Sequence, residues 1–309
     1  MIELRQLKAL LAIQEYKSFS QAAHNLGTVQ SNISAHLSRL EESVGAILID
    51  RRTGDLTEEG IAVALRARRL LTELEAIDSD ISALKHDVRG RVRIGMLGTV
   101  ARWFVPAIVR ELEERHPNVR IEISEGSASA LEVRVNSNAF EFAIMTRPSS
   151  TDELTFRAFF EEPLVLVAGK EFNISKRTSI SLSDIASQPL LLPPKGTQFR
   201  DQVDLVAAQM GVVLRPKAEI DGIRLLVSMA YDGYAPTIAP ATSILAFMAE
   251  RLIVIPVDGL LPRRVGLVRR KKVAPSAAAK AVLSLLEEFF TDPVLAKKHS
   301  IPTVMKPLL

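Results

Sequence analysis

Apolar positions in residues 18–45, SFSQAAHNLGTVQSNISAHLSRLEESVG, fall into two short helical rhythms on either side of Gly27. Ser18 with Gln21 three residues later has the spacing of a capping box, which predicts a helix from about Phe19. Ala22, Ala23 and Leu26 supply its apolar face. The two adjacent alanines let another backbone approach closely. Gly27 ends the helix, because glycine accepts the left-handed conformation required there. Thr28 is the expected cap of a second helix. In that helix Val29, Ile33, Leu37, Leu40 and Val44 recur every three or four residues and form a buried stripe. The opposite face carries Ser31, Asn32, Ala35, Ser38 and Arg39, flanked by Gln30 and Ser34.

A longer rhythm follows. Residues 58–89 contain no proline, and Gly60 is their one glycine. Val63, Ala67, Leu70, Leu74, Ile77, Ile81, Leu84 and Val88 are spaced alternately by four and three, a heptad seam. A helix of roughly 30 residues at about 1.5 Å each is about 45 Å long. Such a helix either packs on its own domain or pairs with a second copy, and the sustained seam favours a dimer. Beyond Arg89-Gly90 the period changes to an alternation of strands and helices. Strands are predicted at 92–97, 119–124, 140–145, 213–220 and 252–257, with an extended run over 154–168. Helices are predicted from Gly98 to about His116, then at 128–135, 200–210, 223–231 and 275–290. Alternating elements predict α/β lobes with mainly parallel sheets. A chain that leaves one lobe, builds another and returns through 265–273 predicts two lobes joined by two crossings.

The polar face of the 29–44 helix changes the picture. Glu and Lys are the better helix formers for a merely solvated face. Short hydroxyls and amides suit a surface that must approach another polar surface closely, as the front of a recognition helix does in a DNA major groove. An ordinary polar helix face is the alternative. The motifs narrow the choice. S-F-x-x-A-A-x-x-L over 18–26, Q-x-x-x-S over 30–34, L-E-x-x-x-G over 40–45 and Leu56-Thr-Glu-Glu-Gly60 resemble the N-terminal winged helix-turn-helix of LysR-type transcriptional regulators, and the likeness extends over the whole chain.

That resemblance implies an α/β protein overall: an N-terminal all-α winged helix-turn-helix (1–58), a long linker and dimerisation helix (59–89), then a two-lobed α/β periplasmic-binding-protein-like effector domain (90–309). Lobe I would cover about 90–162 and 266–292, and lobe II about 163–265. It implies base contacts by Gln30, Ser31 and Ser34, and phosphate contacts by Thr28, Ser38, Arg39 and, in the wing, Arg51 and Arg52. Read on their own, Arg51 and Arg52 are equally a solvated turn. Ala35 stands where many members carry a basic residue, and the wing, 51–56, is about two residues shorter than the common pattern. The dimer would form along Val63, Leu70, Leu74, Ile77, Ile81 and Leu84. Implied partners are double-stranded DNA with an interrupted inverted repeat, a small-molecule effector, a second copy as homodimer or dimer of dimers, and RNA polymerase.

In such α/β lobes ligands bind at strand C-termini, facing helix N-termini. The loops that qualify carry Gly98, Thr99 and Val100, Ser127, Thr146 and Arg147, and Lys195, Thr197 and Gln198. Thr99, Ser127 and Thr197 with bare helix amides suit a carboxylate or another small anion, balanced by Arg147 or Lys195. Helix capping is the alternative role for each hydroxyl. Tyr231 and Tyr234 either line the cleft or pack between helix and strand.

Composition limits the other possibilities. The chain has 309 residues, 47% of them hydrophobic and 24% charged, enough for two or three domains. It contains no cysteine, which removes disulfides, thiolate metal sites and a cysteine nucleophile and fits a reducing cytoplasm. Its five histidines, His24, His36, His86, His116 and His299, are scattered, so a zinc site is not expected. No cofactor is expected. The first residues lack a signal-peptide pattern, and the apolar stretch at 244–257 is interrupted by Glu250 and Arg251, so no membrane span is expected. There is no G-x-S-x-G, G-x-G-x-x-G, P-loop or H-E-x-x-H motif, which argues against an enzyme built on the binding-protein-like domain. A transport binding protein would need an export signal and no helix-turn-helix. Charge runs opposite to the DNA-binding assignment. Residues 1–89 hold eleven Lys/Arg and thirteen Asp/Glu, a net of −2, whereas 263–309 hold ten and three, a net of +7. The basic run RRVGLVRRKK is broken by Val265, Leu267 and Val268, which reads as a strand with basic ends.

Overall fold

The computed structural model describes residues 1–85, 87–172 and 178–308; His86 lies outside the described residues. The chain divides into two compact units, Met1–Gly90 with Ser137–Ala139, and Arg91–Asn136 with Phe140–Leu309.

The first unit begins with α1 (Leu4–Tyr16), α2 (Phe19–Asn25) and α3 (Gln30–Val44). Ser18 caps α2 by accepting from the Gln21 amide, and Gly27 takes a positive φ of 64°. Leu7, Leu10 and Ile13 of α1 pack with Ala22, Ala23, Ile33, Leu37 and Leu40, so the two alanines bring α2 against its neighbours as the spacing requires. The ends of the predicted stripe differ. Val29, not Thr28, is the N-cap of α3. Val29 precedes the first helical turn, and its side chain falls off the buried face and is 60% exposed. Leu26, at the α2 C-cap, is exposed for the same reason. The Thr28 hydroxyl accepts instead from the Asn32 side chain at 2.9 Å.

An Ile49–Leu56 bridge closes the wing, and α4 (Glu58–Leu84) follows. The Leu56-Thr-Glu-Glu-Gly60 segment has a geometric reason. The Thr57 hydroxyl donates to the Ile47 carbonyl at 2.7 Å and caps α4 by accepting from the Gly60 amide. A Cβ on Gly60 would overlap the Leu48 carbonyl. Glycine therefore lets the start of α4 lie directly on the wing strand. The helix is shorter than predicted. Lys85 is its C-cap, the chain turns back through an Asp87 amide to Ser82 carbonyl bond, and Val88 lies outside it.

Among the described residues the second unit contains two six-stranded sheets. The first lobe is built from β1 (Gly90–Met96), α5 (Gly98–Arg115), β2 (Val119–Glu125), α6 (Ala128–Asn136), β3 (Phe142–Thr146) and β4 (Leu154–Glu162). Pro163 alone separates β4 from β5 (Leu164–Gly169), which opens the second lobe. That lobe continues with β6 (Ile180–Ser181), α7 (Leu182–Ile185), β7 (Pro189–Leu192), α8 (Gln198–Gln209), β8 (Arg215–Glu219) and α9 (Ile223–Tyr231). It ends with β9 (Thr237–Pro240), α10 (Ala246–Ala249) and β10 (Leu252–Asp258). The chain returns to the first sheet through β11 (Arg263–Arg270), α11 (Ala277–Thr291), α12 (Pro293–Lys298) and β12 (Lys306–Pro307).

The sheets are mixed rather than mainly parallel. β1 and β3 are parallel, as are β7 with β8 and β9. The strands that carry the chain between lobes pair antiparallel, β4 with β11 and β5 with β10. An outgoing and a returning strand laid side by side must run in opposite directions. β11 sits between β3 and β4 with Val265, Leu267 and Val268 buried, so the basic run is a central strand with charged ends. Phe104, Phe160, Phe289 and Phe290 pack α5, β4 and α11 together. The C-terminal segment is anchored at buried Glu111, which receives Lys298 at 2.7 Å and His299 at 2.6 Å. Burial acts to raise the Glu111 carboxyl, but its hydrogen bonds with Lys298 and His299 and the charges of Arg115 and Lys298 outweigh it and hold it at about 2.

The Gly60 geometry is testable. Gly60→Ala should destabilise the chain by about 1–3 kcal/mol despite the better helix propensity of alanine, because the wing backbone must shift. Urea denaturation that leaves stability unchanged or raised would refute this account of the motif.

Candidate DNA-reading face and effector cleft

α3 presents Gln30, Ser31, Ser38 and Arg39 exposed and Ser34 half-buried, while Ile33, Leu37 and Leu40 fix the opposite face in the core. The polar residues therefore share an outward face of one rigid helix. The wing is tied to that helix. Glu41 accepts from the Leu48 amide at 2.9 Å and faces Arg51 at 3.6 Å. Arg51 also reaches the Ser38 hydroxyl at 3.5 Å, which brings two of the phosphate candidates together. Arg52 is exposed at the wing turn, and its amide donates to Asp50. Lys17 clamps the far side of the wing through Asp55 at 2.8 Å; its hydrogen bond and charge lower the Asp55 carboxyl.

The heptad seam divides into a packed part and an exposed part. Ala67 is buried and Val63 partly buried in the helix-turn-helix core. Leu70, Leu74, Ile77, Ile81 and Leu84, at the same spacing, are 43–80% exposed. Of the predicted dimer stripe, Leu70 to Leu84 are thus exposed, whereas Val63 packs against the domain core.

In the second unit the candidate effector loops come from both lobes. At the first lobe's edge stand Gly98, Thr99 and Val100 in the first turn of α5, Ser127 before α6, and Thr146 and Arg147 after β3. From the second lobe come Thr197, the N-cap of α8, and Gln198. Side chains of the two lobes bridge at the candidate cleft. Thr146 donates to the Gln198 side-chain carbonyl at 2.7 Å, and the Gln198 amide donates to the Arg147 carbonyl at 3.0 Å. Glu125, at the end of β2, pairs with Arg224 in the first turn of α9 at 2.5 Å.

The three hydroxyls do not converge as bare groups. Thr99 is buried and accepts from Arg263 at 2.9 Å. Thr197 caps the Arg200 amide and donates to the Pro194 carbonyl. Ser127 accepts from the Ala130 amide at 3.4 Å and lies 3.2 Å from the Ser129 hydroxyl, but remains exposed. Val100 is fully buried and serves the lobe core. Arg147 and Lys195 are both exposed. Arg200 is buried and bound by Asp204 and Glu219 at 2.9 and 2.8 Å. Burial acts to lower its guanidinium and the two carboxylates outweigh it, so the group stays charged and committed. Tyr231 packs in the second lobe and accepts from Arg251, whereas Tyr234 is exposed. Among the described residues no cluster has the composition of a metal site, and no helix is long and apolar enough to cross a membrane.

The exposed polar face of a core-anchored second helix, followed by a two-crossing pair of α/β lobes, is matched by known families over nearly the whole chain. Residues 4–61 match the family described as bacterial regulatory helix-turn-helix protein, lysR family, and residues 85–291 match the LysR substrate binding domain. The chain belongs to the LysR family. It is similar to the uncharacterized HTH-type transcriptional regulator YfeR of Shigella flexneri, 26% identical over 92% of this chain and 93% of that one. It is similar to the HTH-type transcriptional activator CmpR of Synechocystis, 25% identical over 92% and 94%. Among solved structures, a full-length OxyR variant from Pseudomonas aeruginosa superposes with a TM-score of 0.75 at 18% identity, covering 99% of this chain and 97% of that one. CbnR complexed with its target DNA superposes with a TM-score of 0.66 at 20% identity, covering 96% and 99%. These likenesses show a shared fold. As a LysR-type regulator the chain is a ligand-responsive DNA-binding transcription regulator, and its relatives are regulators rather than enzymes.

Within this LysR-type frame, sequence reasoning does not find Glu125, Arg224, Glu162, Arg263 and Thr242, which hold the cleft's two walls together. None of them stands in a motif. Glu162 and Arg263 are directly opposite in register on β4 and β11, yet 101 residues apart in sequence, so only the strand pairing reveals them.

Proposed function

We propose that the chain reads an interrupted inverted repeat in double-stranded DNA as a homodimer or dimer of dimers, and that a small organic anion held between the lobes of its effector domain controls that binding. The observation that carries the reading is α3: a helix whose inner face is locked in the core and whose outer face is built from short hydroxyls and amides. Gln30, Ser31 and Ser34 contact base edges. Thr28, Ser38, Arg39, Arg51 and Arg52 contact phosphates, with Arg51 and Ser38 acting as one site. The exposed apolar stripe from Leu70 to Leu84 supplies the contact between two copies, because a two-fold operator needs its half-sites held at a fixed spacing. The effector pocket uses Gly98, Ser127, Thr146, Arg147, Thr197 and Gln198, with Thr99 shaping it from behind. RNA polymerase is the partner at the promoter, and the cytoplasm is where the chain acts. The effector alters operator affinity only in so far as it binds one lobe arrangement better than another, typically by about 1–3 kcal/mol.

The DNA assignment predicts that Gln30→Ala and Ser34→Ala each lower specific affinity by about 1–3 kcal/mol and leave non-specific binding nearly intact, while Arg39→Ala weakens both and flattens the salt dependence. Footprinting on the chain's own upstream DNA is the check. Unchanged protection by the Gln30/Ser34 double variant would remove the recognition-helix assignment.

For assembly, Leu74→Asp with Ile77→Asp should abolish the apolar contact, because burying unpaired charges is costly. Sedimentation should show a smaller species with weakened operator binding. Wild-type mass would rule out this stripe as the dimer contact.

The effector prediction is read by a thermal-shift screen of small carboxylates and aromatic acids. A ligand at about 100 times its Kd adds roughly 2.7 kcal/mol of stability. Ser127→Ala and Thr146→Val should each weaken an acid found this way by about 1 kcal/mol, some five-fold. Thr99→Val is a poor probe because it strands the Arg263 donor. Unaltered affinity in both variants would place the ligand outside the cleft.

A further inference from the structure

Arg224 and Glu125 come from opposite lobes and meet in front of α5. They meet beside Gly98. A Cβ there would stand 3.0 Å from a Glu125 oxygen and 3.2 Å from Arg224 Nε, tighter than ordinary packing allows. The carboxylate thus lies against the first residue of an 18-residue helix, whose N-terminal amides and dipole favour negative charge. Both side chains are substantially exposed, Glu125 at 41% and Arg224 at 58%, so the pair faces solvent and is not part of a lobe core. An exposed pair of this kind contributes little to stability. Its position is more telling: a carboxylate, a guanidinium and a helix N-terminus already assembled at the cleft edge, with the carboxylate supplied by the chain itself.

We propose that Arg224 is the residue that selects the effector's anionic group, and that Glu125 occupies its place until the effector arrives. This rests on the reading of the cleft as the effector site. The ligand class follows from the guanidinium, whose planar fork matches a carboxylate or a comparable oxyanion. The tethered Glu125 carboxylate competes at an effective concentration in the millimolar range or above. A single weak anion therefore does not displace it, and an effector must bring further contacts, such as those at Ser127, Thr146 and Gln198. Displacement also releases one of the side-chain bridges between the lobes, which links anion recognition to lobe movement.

The test uses the full chain and sodium acetate, at ionic strength held constant with sodium chloride. Glu125→Ala removes a CH2COO⁻ group, which acetate replaces. Thermal-shift titration of Glu125→Ala should show saturable stabilisation by acetate with a midpoint in the millimolar range. Wild type should need at least ten-fold more, and Glu125→Ala with Arg224→Gln should show no saturable response. A flat titration of Glu125→Ala up to about 100 mM would overturn the proposal. So would an equal response in wild type or in the double variant. The cleft reading would survive that result, because it is judged separately by the effect of Ser127→Ala and Thr146→Val on a carboxylate found by screening.

Discussion

The effector domain depends on one buried ion pair at the place where its chain crosses between lobes. Glu162, the last residue of β4, is fully buried and accepts from Arg263, the first residue of β11, at 2.5 Å. Its other oxygen accepts from the Thr242 amide of the second lobe at 2.9 Å. Arg263 also donates to Thr99 of α5, and the Trp103 indole donates to the Thr242 carbonyl at 2.9 Å. Outgoing strand, returning strand, first-lobe helix and second-lobe loop are therefore joined by one network. A buried pair offers little net stability over an apolar one, but breaking it by removing one partner costs about 3–5 kcal/mol. Such a network ties the two lobes together where the chain crosses. At the cleft edge, by contrast, the bridges are exposed side chains.

The same division between buried and exposed appears along α4. One periodicity runs from Val63 to Leu84, yet the first part packs into the helix-turn-helix core and the rest carries an exposed apolar stripe. Gly60 and Thr57 hold the start of the helix on the wing, and the wing is in turn bound to α3 through Glu41. The start of α4, the wing and α3 are thereby tied to one another. Rigidity between these elements comes from backbone contact at Gly60 and from buried side chains, neither of which draws on the polar face of α3.

Much of this is legible in the sequence where a period or a cap carries the signal. The boundaries of α9 and the C-terminal end of α3 are as the sequence predicts, and Ser18 and Gly27 mark the limits of α2. The failures share a physical cause. Spacing misplaces Thr28 and Val29 by one position, because hydrophobicity does not reveal which residue leaves the helix first. Alternation of elements predicts mainly parallel sheets, yet it says nothing about strands that cross between lobes. Thr99 reads as a free hydroxyl because its partner, Arg263, is 164 residues away. Helix capping explains Ser127 and Thr197 at least as well as ligand binding does, and both do form caps. Long-range pairs of charged residues, Glu125 with Arg224 and Glu162 with Arg263, leave no periodic trace.

The charge distribution of the first unit shows why net charge is a poor guide to the partner. Exposed charges act over a Debye length of about 8–10 Å at physiological ionic strength, so arrangement matters more than the sum. Many of the acidic residues of this unit have local structural positions. Glu41 binds the Leu48 amide, Asp50 the Arg52 amide and Asp55 the Lys17 ammonium. Glu58 and Glu59 stand in the first turn of α4, where the helix dipole favours them. Arg39, Arg51 and Arg52 are exposed on α3 and the wing beside it. A domain with a net negative charge can thus present a locally positive edge to phosphate. The opposite holds for the C-terminal run, whose Arg263 and Arg270 are buried against Glu162, Glu153 and the Asn136 carbonyl. The most basic stretch of the sequence is committed to holding a central strand.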